Sequence, residues 1–478
     1  MSFFEARVGE YHPAQVFIKV RICAPRALVP VRRRTPLNTG RLSCVFGAMT
    51  TAQLNPPATP AFYMYTDLFP KPDVLLGCRG LKRLAPFGEP MAQFYSELGV
   101  YRALAAHPSR VLDPERASLF YVPLLPHMSQ DAGRCDGIGH RQRLSTAAAT
   151  LQASPQWRRR NGTDHFWTCA CVMMKSMLGN ELWAMLRTSV HAVHSIPRGG
   201  ASPAECLLQV PYFNPDFVGA PRSPGAERPT LAHFRGRVMN NVRAKLVNAY
   251  GREPHHIIAA AHPNTAAKCN LNKCSPKMFA NAQAEGFPPF SVTAHFAEMT
   301  RSTFCLVPVG DSPPSSRLYL AVSAGCIPVF ISDSFVGAFP HEVPWESFTL
   351  RVPEAAVRGL VLGRRRSREP AETAAAGRFN LTAMLLEVVA DRPRLLALQR
   401  AMFAHAADVL YEAPASRVGD HLLRLVATAV TTLCVPSHRN DALMRKSHGV
   451  SYDDPPPRPA PKLPKKKKKK KKRLAAAR

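Results

Sequence analysis

The residues best placed to do chemistry form the stretch Gly310-Asp311-Ser312-Pro313-Pro314-Ser315-Ser316-Arg317. It lies between the strand-length apolar run FCLVPV (304–309) and the helical pattern SSRLYLAVSA. A helix start presents backbone N–H groups and the positive end of the helix dipole, so it favours phosphate. Here Ser315 and Ser316 add hydroxyls, Arg317 adds a guanidinium, and Asp311 or Ser312 can cap the helix. A second basic group stands upstream, where Arg235, Arg237 and Arg243 cluster at the glycine turn after TLAHFRG (230–236). Arginine at a strand end beside a helix start suits phosphate. A third candidate is Asp164-His165, directly before the strand-like FWTCACVM. Such a pair at a strand edge can act as acid and base or as ligands. Each has a plainer reading: a βαβ turn that binds nothing, a solvated basic face, and a turn aspartate beside a surface histidine.

The elements around these residues alternate between strand and helix. FCLVPV, the helix stopped by Gly325 and the run IPVFIS (327–332) make a βαβ unit with a right-handed crossover. Its loop lies at the carboxyl end of the first strand, where open α/β sheets bind ligands. Upstream, AFYMYTDLFP (61–70) reads as a first strand and residues 89–108 as a helix ended by Pro108. Asp113-Pro-Glu starts a turn, LFYVPLL follows as a strand, and 127–160 reads as loop and then helix. CLLQVPYFNPDF (206–217) closes this first α/β domain, taken as 58–218. A Pro/Gly-rich linker over 219–229 leads to a second domain, 230–411. That domain holds the strand 230–236, a helix stopped by Gly251, the strand HHIIAAAHP and the helix VTAHFAEMTRS. The opening unit follows, then a strand within VPWESFTLRVPE and a helix pair over 379–411 broken at Pro393. Residues 355–377 read as a loop insertion. Residues 1–57 read as a basic, disordered leader, and 412–450 as partly helical, with a helix over 418–433. Residues 451–478 form a Pro/Lys-rich tail whose eight consecutive lysines stay solvated.

The chain has 478 residues and a net charge of +30. The 28 residues from Ser451 hold 12 Lys and Arg against 2 Asp, so the rest still carries +20. A basic surface favours polyanions, nucleotide phosphates among them. No stretch reaches the ~18 consecutive apolar residues of a membrane helix, and the start lacks a signal-peptide layout. The even count of 12 cysteines suits disulfides. Cys269 and Cys274 fit a small disulfide loop or two free thiols better than a zinc knuckle, and Cys305 and Cys326 read as plain core residues. Asn161-Gly-Thr and Asn380-Leu-Thr are glycosylation sequons.

Six stretches, in order, resemble the exostosin-like glycosyltransferases of family 47. FYMYTDLFP is similar to that family's opening strand, and FYSEL, VLDPERASLFYVP and the DHF of NGTDHFW to its first-domain landmarks. RPTLAHFRGRVMNNVRAKL resembles its "FFRG…VR" segment. RSTFCLVPVGDSPPSSRLYLAVSAGCIPVFISD, with VPWESFTL beyond it, resembles its signature block. The resemblance spans about residues 60–410. It implies a GT-B fold, two Rossmann-like α/β domains facing across a cleft, with the acceptor on the first and a nucleotide sugar on the second. It also implies inverting transfer from a UDP-sugar to a glycan, in the Golgi.

On that basis Arg235, Gly310, Asp311, Ser315, Ser316 and Arg317 are expected to hold the donor diphosphate and stabilise the charge that builds on it. Asp164 and His165, followed by Asp67, are the candidates for taking the acceptor proton. No tightly bound cofactor and no metal ligands are assigned. Three departures stand out. Val309 replaces the arginine of the family's "PRGD", Leu320 replaces an acidic residue that commonly binds the donor ribose, and the histidine-rich stretch after DHF is absent. A lost contact to a charged group costs on the order of 1.5–3 kcal/mol. The alternatives are a catalytically impaired member that pairs with an active transferase as a hetero-oligomer, and a polyanion-binding protein. Nucleic acid is not the expected partner.

Overall fold

The computed structural model describes residues 58–82, 95–135, 137–169, 174–194, 206–214, 224–238, 240–260, 292–310, 313, 315–358 and 379–433. The expected leader, the lysine tail, Asp311, Cys269, Cys274 and most of the 355–377 insertion lie outside these residues. So does the first part of the expected linker.

The described residues form two parallel sheets flanked by helices. The first contains β1 (Phe62–Met64), β2 (Arg110–Val111), β3 (Leu119–Val122), β4 (His165–Thr168), β5 (Val190–Val193) and β6 (Cys206–Gln209). Their order is β2-β1-β3-β4-β5-β6, and every pairing is parallel. The second contains β7 (Thr230–Gly236), β8 (His256–Ala260), β9 (Ser302–Pro308), β10 (Ile327–Ile331) and β11 (Leu350–Arg351). Their order is β11-β10-β9-β7-β8, again all parallel. Strands such as β3, β4 and β10 are buried along their whole length. That is what parallel sheets covered by helices on both faces require, and why they read as unbroken apolar runs. This is the α/β, GT-B-type architecture expected from the sequence.

Chain order within each sheet singles out one crevice. After β1 the chain moves to β2 on one side, and after β3 it moves to β4 on the other. After β7 it moves to β8, and after β9 to β10 on the opposite side. The carboxyl ends of β1/β3 and of β7/β9 are therefore the topological switch points, where open α/β sheets bind ligands.

The two halves meet beyond the carboxyl ends of β6 and β10. Gln209 donates from Nε2 to the Val336 carbonyl at 2.9 Å, and the rings of Tyr212 and Tyr319 lie 5.9 Å apart. The helix Val418–Thr428 returns from the second half to the first. There Asp420 accepts from Thr59 Oγ1 at 2.9 Å and stands 3.3 Å from His107.

Several local expectations change. Cys305 and Cys326 are not plain core thiols: they are joined in a disulfide beside the β9–β10 pairing, as Cys78 and Cys135 are in the first half. Cys169 and Cys206 are also disulfide-bonded. VPWESFTLRVPE gives only the two-residue β11 and a 3-10 turn at Trp345–Ser347. Pro344 has no N–H for a ladder, and Trp345 is turned inward to donate to the Ala338 carbonyl at 2.8 Å. The strand Val190–Val193 and the helices Met174–Leu178 and Asn180–Leu186 were not foreseen. Among the described residues no helix is long and apolar enough to cross a membrane.

Candidate functional site

The second-half switch point is bridged by a staple. Arg243, in the helix Asn241–Tyr250, spreads its guanidinium over three carbonyls: Val309 at 3.0 Å, Pro308 at 3.2 Å and Arg237 at 2.9 Å. Asn240 donates to Val309 as well, at 2.8 Å, and its side chain caps that same helix. The planar fork of arginine thus ties the end of β7 to the end of β9. This is a structural use, not the phosphate contact that the basic cluster implied. Beyond the staple come Gly310 and the extended Ser315, which precedes the helix Ser316–Ser323 and makes no side-chain cap of its own.

Arg235 and Arg317 meet at this point, with their guanidiniums committed to protein partners. Arg235 is buried and ion-paired with Glu298 at 2.8 Å. Arg317 donates to the Arg235 carbonyl at 2.8 Å and lies over the Phe234 ring at 4.8 Å. A Cβ at Gly236 would come within 2.4 Å of the Arg317 guanidinium, so glycine is what lets the side chain pass. Burial, with Arg243 nearby, works against the Arg317 charge and pulls its pKa down. Arg237, at the end of β7, is exposed. The structure therefore brings Arg235, Gly310, Ser315, Ser316 and Arg317 to one switch point, while Asp311 lies outside the described residues.

Two of the three departures fall in apolar surroundings. Val309 is 1% exposed in the main core. Leu320 packs with Met299, Cys305, Ala321, Ala324 and Cys326 between two helices and the sheet.

Behind the switch point lies a cluster missed in the sequence. His233 of β7 and His295 and Glu298 of the helix Val292–Thr300 bring one ligand atom each within 4.8 Å of one another. His233 Nε2 and Glu298 Oε2 are 3.1 Å apart. Burial keeps both imidazoles below their ordinary pKa, and for His295 the neighbouring His233, Arg317 and Arg235 add to it. Burial raises the Glu298 pKa, but its bonds to His233 and Arg235 outweigh that and hold it ionised. His295 and Glu298 are one helical turn apart, a spacing that puts both on one face. The weakly patterned apolar context of VTAHFAEMTRS gave no sign of β7 as their partner.

Asp164 and His165 sit elsewhere. Asp164 immediately precedes β4, so the pair is at the amino end of the sheet, away from the switch point. Both are essentially inaccessible, at 1% and 0% exposure. His165 Nδ1 is 2.8 Å from Asp164 Oδ1, and Nε2 is 2.9 Å from the Tyr65 hydroxyl, which continues to Ser154 at 3.0 Å. Phe120 stacks on the imidazole and Trp157 meets it edge-on. Burial lowers the His165 pKa against the pull of Asp164. Burial would raise Asp164, but its bonds to His165 and Arg159 keep it below the usual carboxylate range. Tyr65 is pushed up to about 12, mainly by burial. The histidine is not on the surface, as its plainer reading had it, and both ring nitrogens are engaged.

Different residues border the first-half switch point. Asp67 follows β1 and is exposed, and half-buried His127 follows β3 in the first turn of the helix Pro126–Ala132. That turn is held by fully buried Glu97, which accepts from Met128 N at 2.8 Å and His127 N at 3.3 Å. Burial raises the Glu97 pKa well above its ordinary value. FYSEL marked this glutamate only as part of a resemblance, since its partner lies thirty residues on.

A probable glucuronosyltransferase of Oryza sativa subsp. japonica is 27% identical over 293 residues, covering 56% of this chain and 62% of the relative. A probable beta-1,4-xylosyltransferase of Arabidopsis thaliana is 28% identical over 275 residues, 55% of this chain and 62% of the relative. The matched region thus spans less than two thirds of either plant protein. Among solved structures, a glycosyltransferase from Rickettsia africae ESF-5 aligns at 10% identity with a TM-score of 0.34, over 79% of this chain and 98% of that one. The Exostosin GT47 domain matches residues 62–362, a span that contains both sheets and both switch points, and the chain belongs to that family.

Proposed function

We propose that the chain is a glycosyltransferase that moves a sugar from a UDP-sugar to a glycan, with inversion, the donor lying at the second-half switch point. The observation that supports this is topological: Arg235, Gly310, Ser315, Ser316 and Arg317, the residues expected to hold phosphate, come together at the crevice between β7 and β9. The start of the Ser316–Ser323 helix faces the donor diphosphate, with Gly310 leaving room for it. Arg237 supplies an exposed guanidinium, while Arg235 and Arg317 act from behind, as fixed charge near the leaving group. On the acceptor side, Asp67 or His127 takes the hydroxyl proton, and the buried Asp164–His165 pair positions the layer under Trp157. The plant relatives' printed names point the donor search toward UDP-glucuronic acid and UDP-xylose. Disulfides in both halves fit an oxidising compartment, hence the Golgi lumen.

Calorimetry with UDP, followed by a UDP-sugar panel scored for UDP release with a glycan acceptor, tests this reading. Binding of UDP that weakens about tenfold or more in Arg237→Gln supports it. Folded protein that ignores UDP and every donor overturns it. One observation favours a second reading, an impaired member that stabilises an active transferase: Val309 and Leu320 are buried apolar side chains where polar donor contacts were expected. That reading predicts silent calorimetry together with a raised yield of a co-expressed transferase.

A further inference from the structure

We propose that His233, His295 and Glu298 form a divalent metal site of the zinc type. Two imidazoles and one carboxylate are a donor set that zinc uses, and three protein ligands leave a fourth position open. The separation of 3.1 Å between His233 Nε2 and Glu298 Oε2 fits a hydrogen bond. It also fits two neighbouring ligands around one ion, because bonds of about 2.0–2.1 Å at a tetrahedral angle put ligand atoms roughly 3.3 Å apart. All three donor atoms already lie within 4.8 Å, so closing on an ion needs side-chain adjustment, not movement of the helix.

The framework is rigid on both sides. His233 stands in β7, paired with β8 and β9, and its register partner in β9 is the disulfide-bonded Cys305. The two other donors share one face of the Val292–Thr300 helix, whose Met299 is packed into the cluster around that disulfide. Arg235 occupies Glu298 Oε1 at 2.8 Å and leaves Oε2 toward the histidines. It thereby takes the orienting place that outer groups hold around metal-bound carboxylates. The same arginine, with Arg317 near both histidines, adds positive charge. That charge weakens cation binding and favours an anionic group in the open position.

The site is independent of the donor reading above, because its test needs only the metal. The full-length protein is stripped with a chelator, dialysed against Zn(II) and analysed for bound metal, with affinity measured by competition against a chromophoric chelator. The expected result is one ion lost from both His295→Ala and Glu298→Gln, with affinity down about 100-fold or more. Co(II) in place of Zn(II) gives visible absorption bands of a four-coordinate nitrogen–oxygen site, absent in the variants. Glu298→Gln keeps the side-chain volume, and its far-ultraviolet circular dichroism separates lost binding from lost folding. No ion at micromolar Zn(II), or the same stoichiometry in wild type and both variants, overturns the proposal.

Discussion

Two buried histidines, each beside an aspartate, have their pKa values shifted in opposite directions. His165 in the first half is bonded to Asp164 and Tyr65 under aromatic cover. His421 in the C-terminal helix lies between Asp408 and Glu342, with Arg417 on Asp408 and Arg424 on Glu342. Burial lowers the pKa of both. For His165 burial wins, because a single carboxylate opposes it and Arg159 lies close. For His421 two carboxylates overcome burial, and the pKa rises. The difference shows that an aspartate beside a histidine does not by itself make a charged or reactive pair. The second carboxylate decides, and it comes from a distant part of the chain.

The strongest way to break this comparison is Asp408→Ala. It takes the central acceptor from His421, His405 and Arg417; the last two turn to solvent and His421 keeps only Glu342. Losing three charge-assisted bonds, two of them to partners open to water, costs about 3 kcal/mol, read as a lower urea midpoint at unchanged slope. Asp164→Asn should cost less, about 1.5–3 kcal/mol, since it removes a charge-assisted bond to a histidine that is already neutral. Equal losses would mean that His165 is charged after all. Tyr65→Phe comes next, at about 1–2 kcal/mol, because the neutral hydrogen bonds of its hydroxyl to His165 Nε2 and Ser154 disappear. If either first-half variant abolished turnover in protein of unchanged stability, Asp164 and His165 would return as catalytic groups.

The same contrast explains what could be read from the chain. The βαβ unit around Gly310 was legible because apolar runs, a turn cluster and Gly325 are all local signals, and strands β9 and β10 lie where they predicted. The helix break at Pro393 was legible too: it sits in the first turn of Arg392–Val409, with Asp391 as the cap. Side-chain direction was not. The Arg235, Arg243 and Arg317 cluster was visible, but its carbonyl and carboxylate partners depend on strand order, which no local pattern encodes. Asp164-His165 looked reactive because adjacency in sequence was the only geometry at hand. Glu298 and His421 drew no notice, since Arg235 and Glu342 lie far away in sequence. Short strands such as Val190–Val193 were lost because four residues without a turn signature carry too little periodicity.

The smallest expected effect is a change of slope with pH. His165 has a folded pKa below its unfolded value. Its contribution is therefore fully present above the unfolded value near 6.5 and is lost as pH falls. His140, His194 and His256 are lowered as well, chiefly by burial, and act in the same direction. His421 has the opposite sign: its raised pKa gives stability below about 6.5 that is lost as pH rises through the folded value. Wild-type stability should thus increase between about pH 5.5 and 7.5, with His421 opposing the trend. His421→Gln removes the opposing group, so the rise should steepen, by on the order of 1 kcal/mol across that window. Thermal unfolding of both proteins at several pH values measures it. A rise that flattens instead would mean that His421 is neutral in the folded chain, and the two histidine pairs would then differ only in their cover.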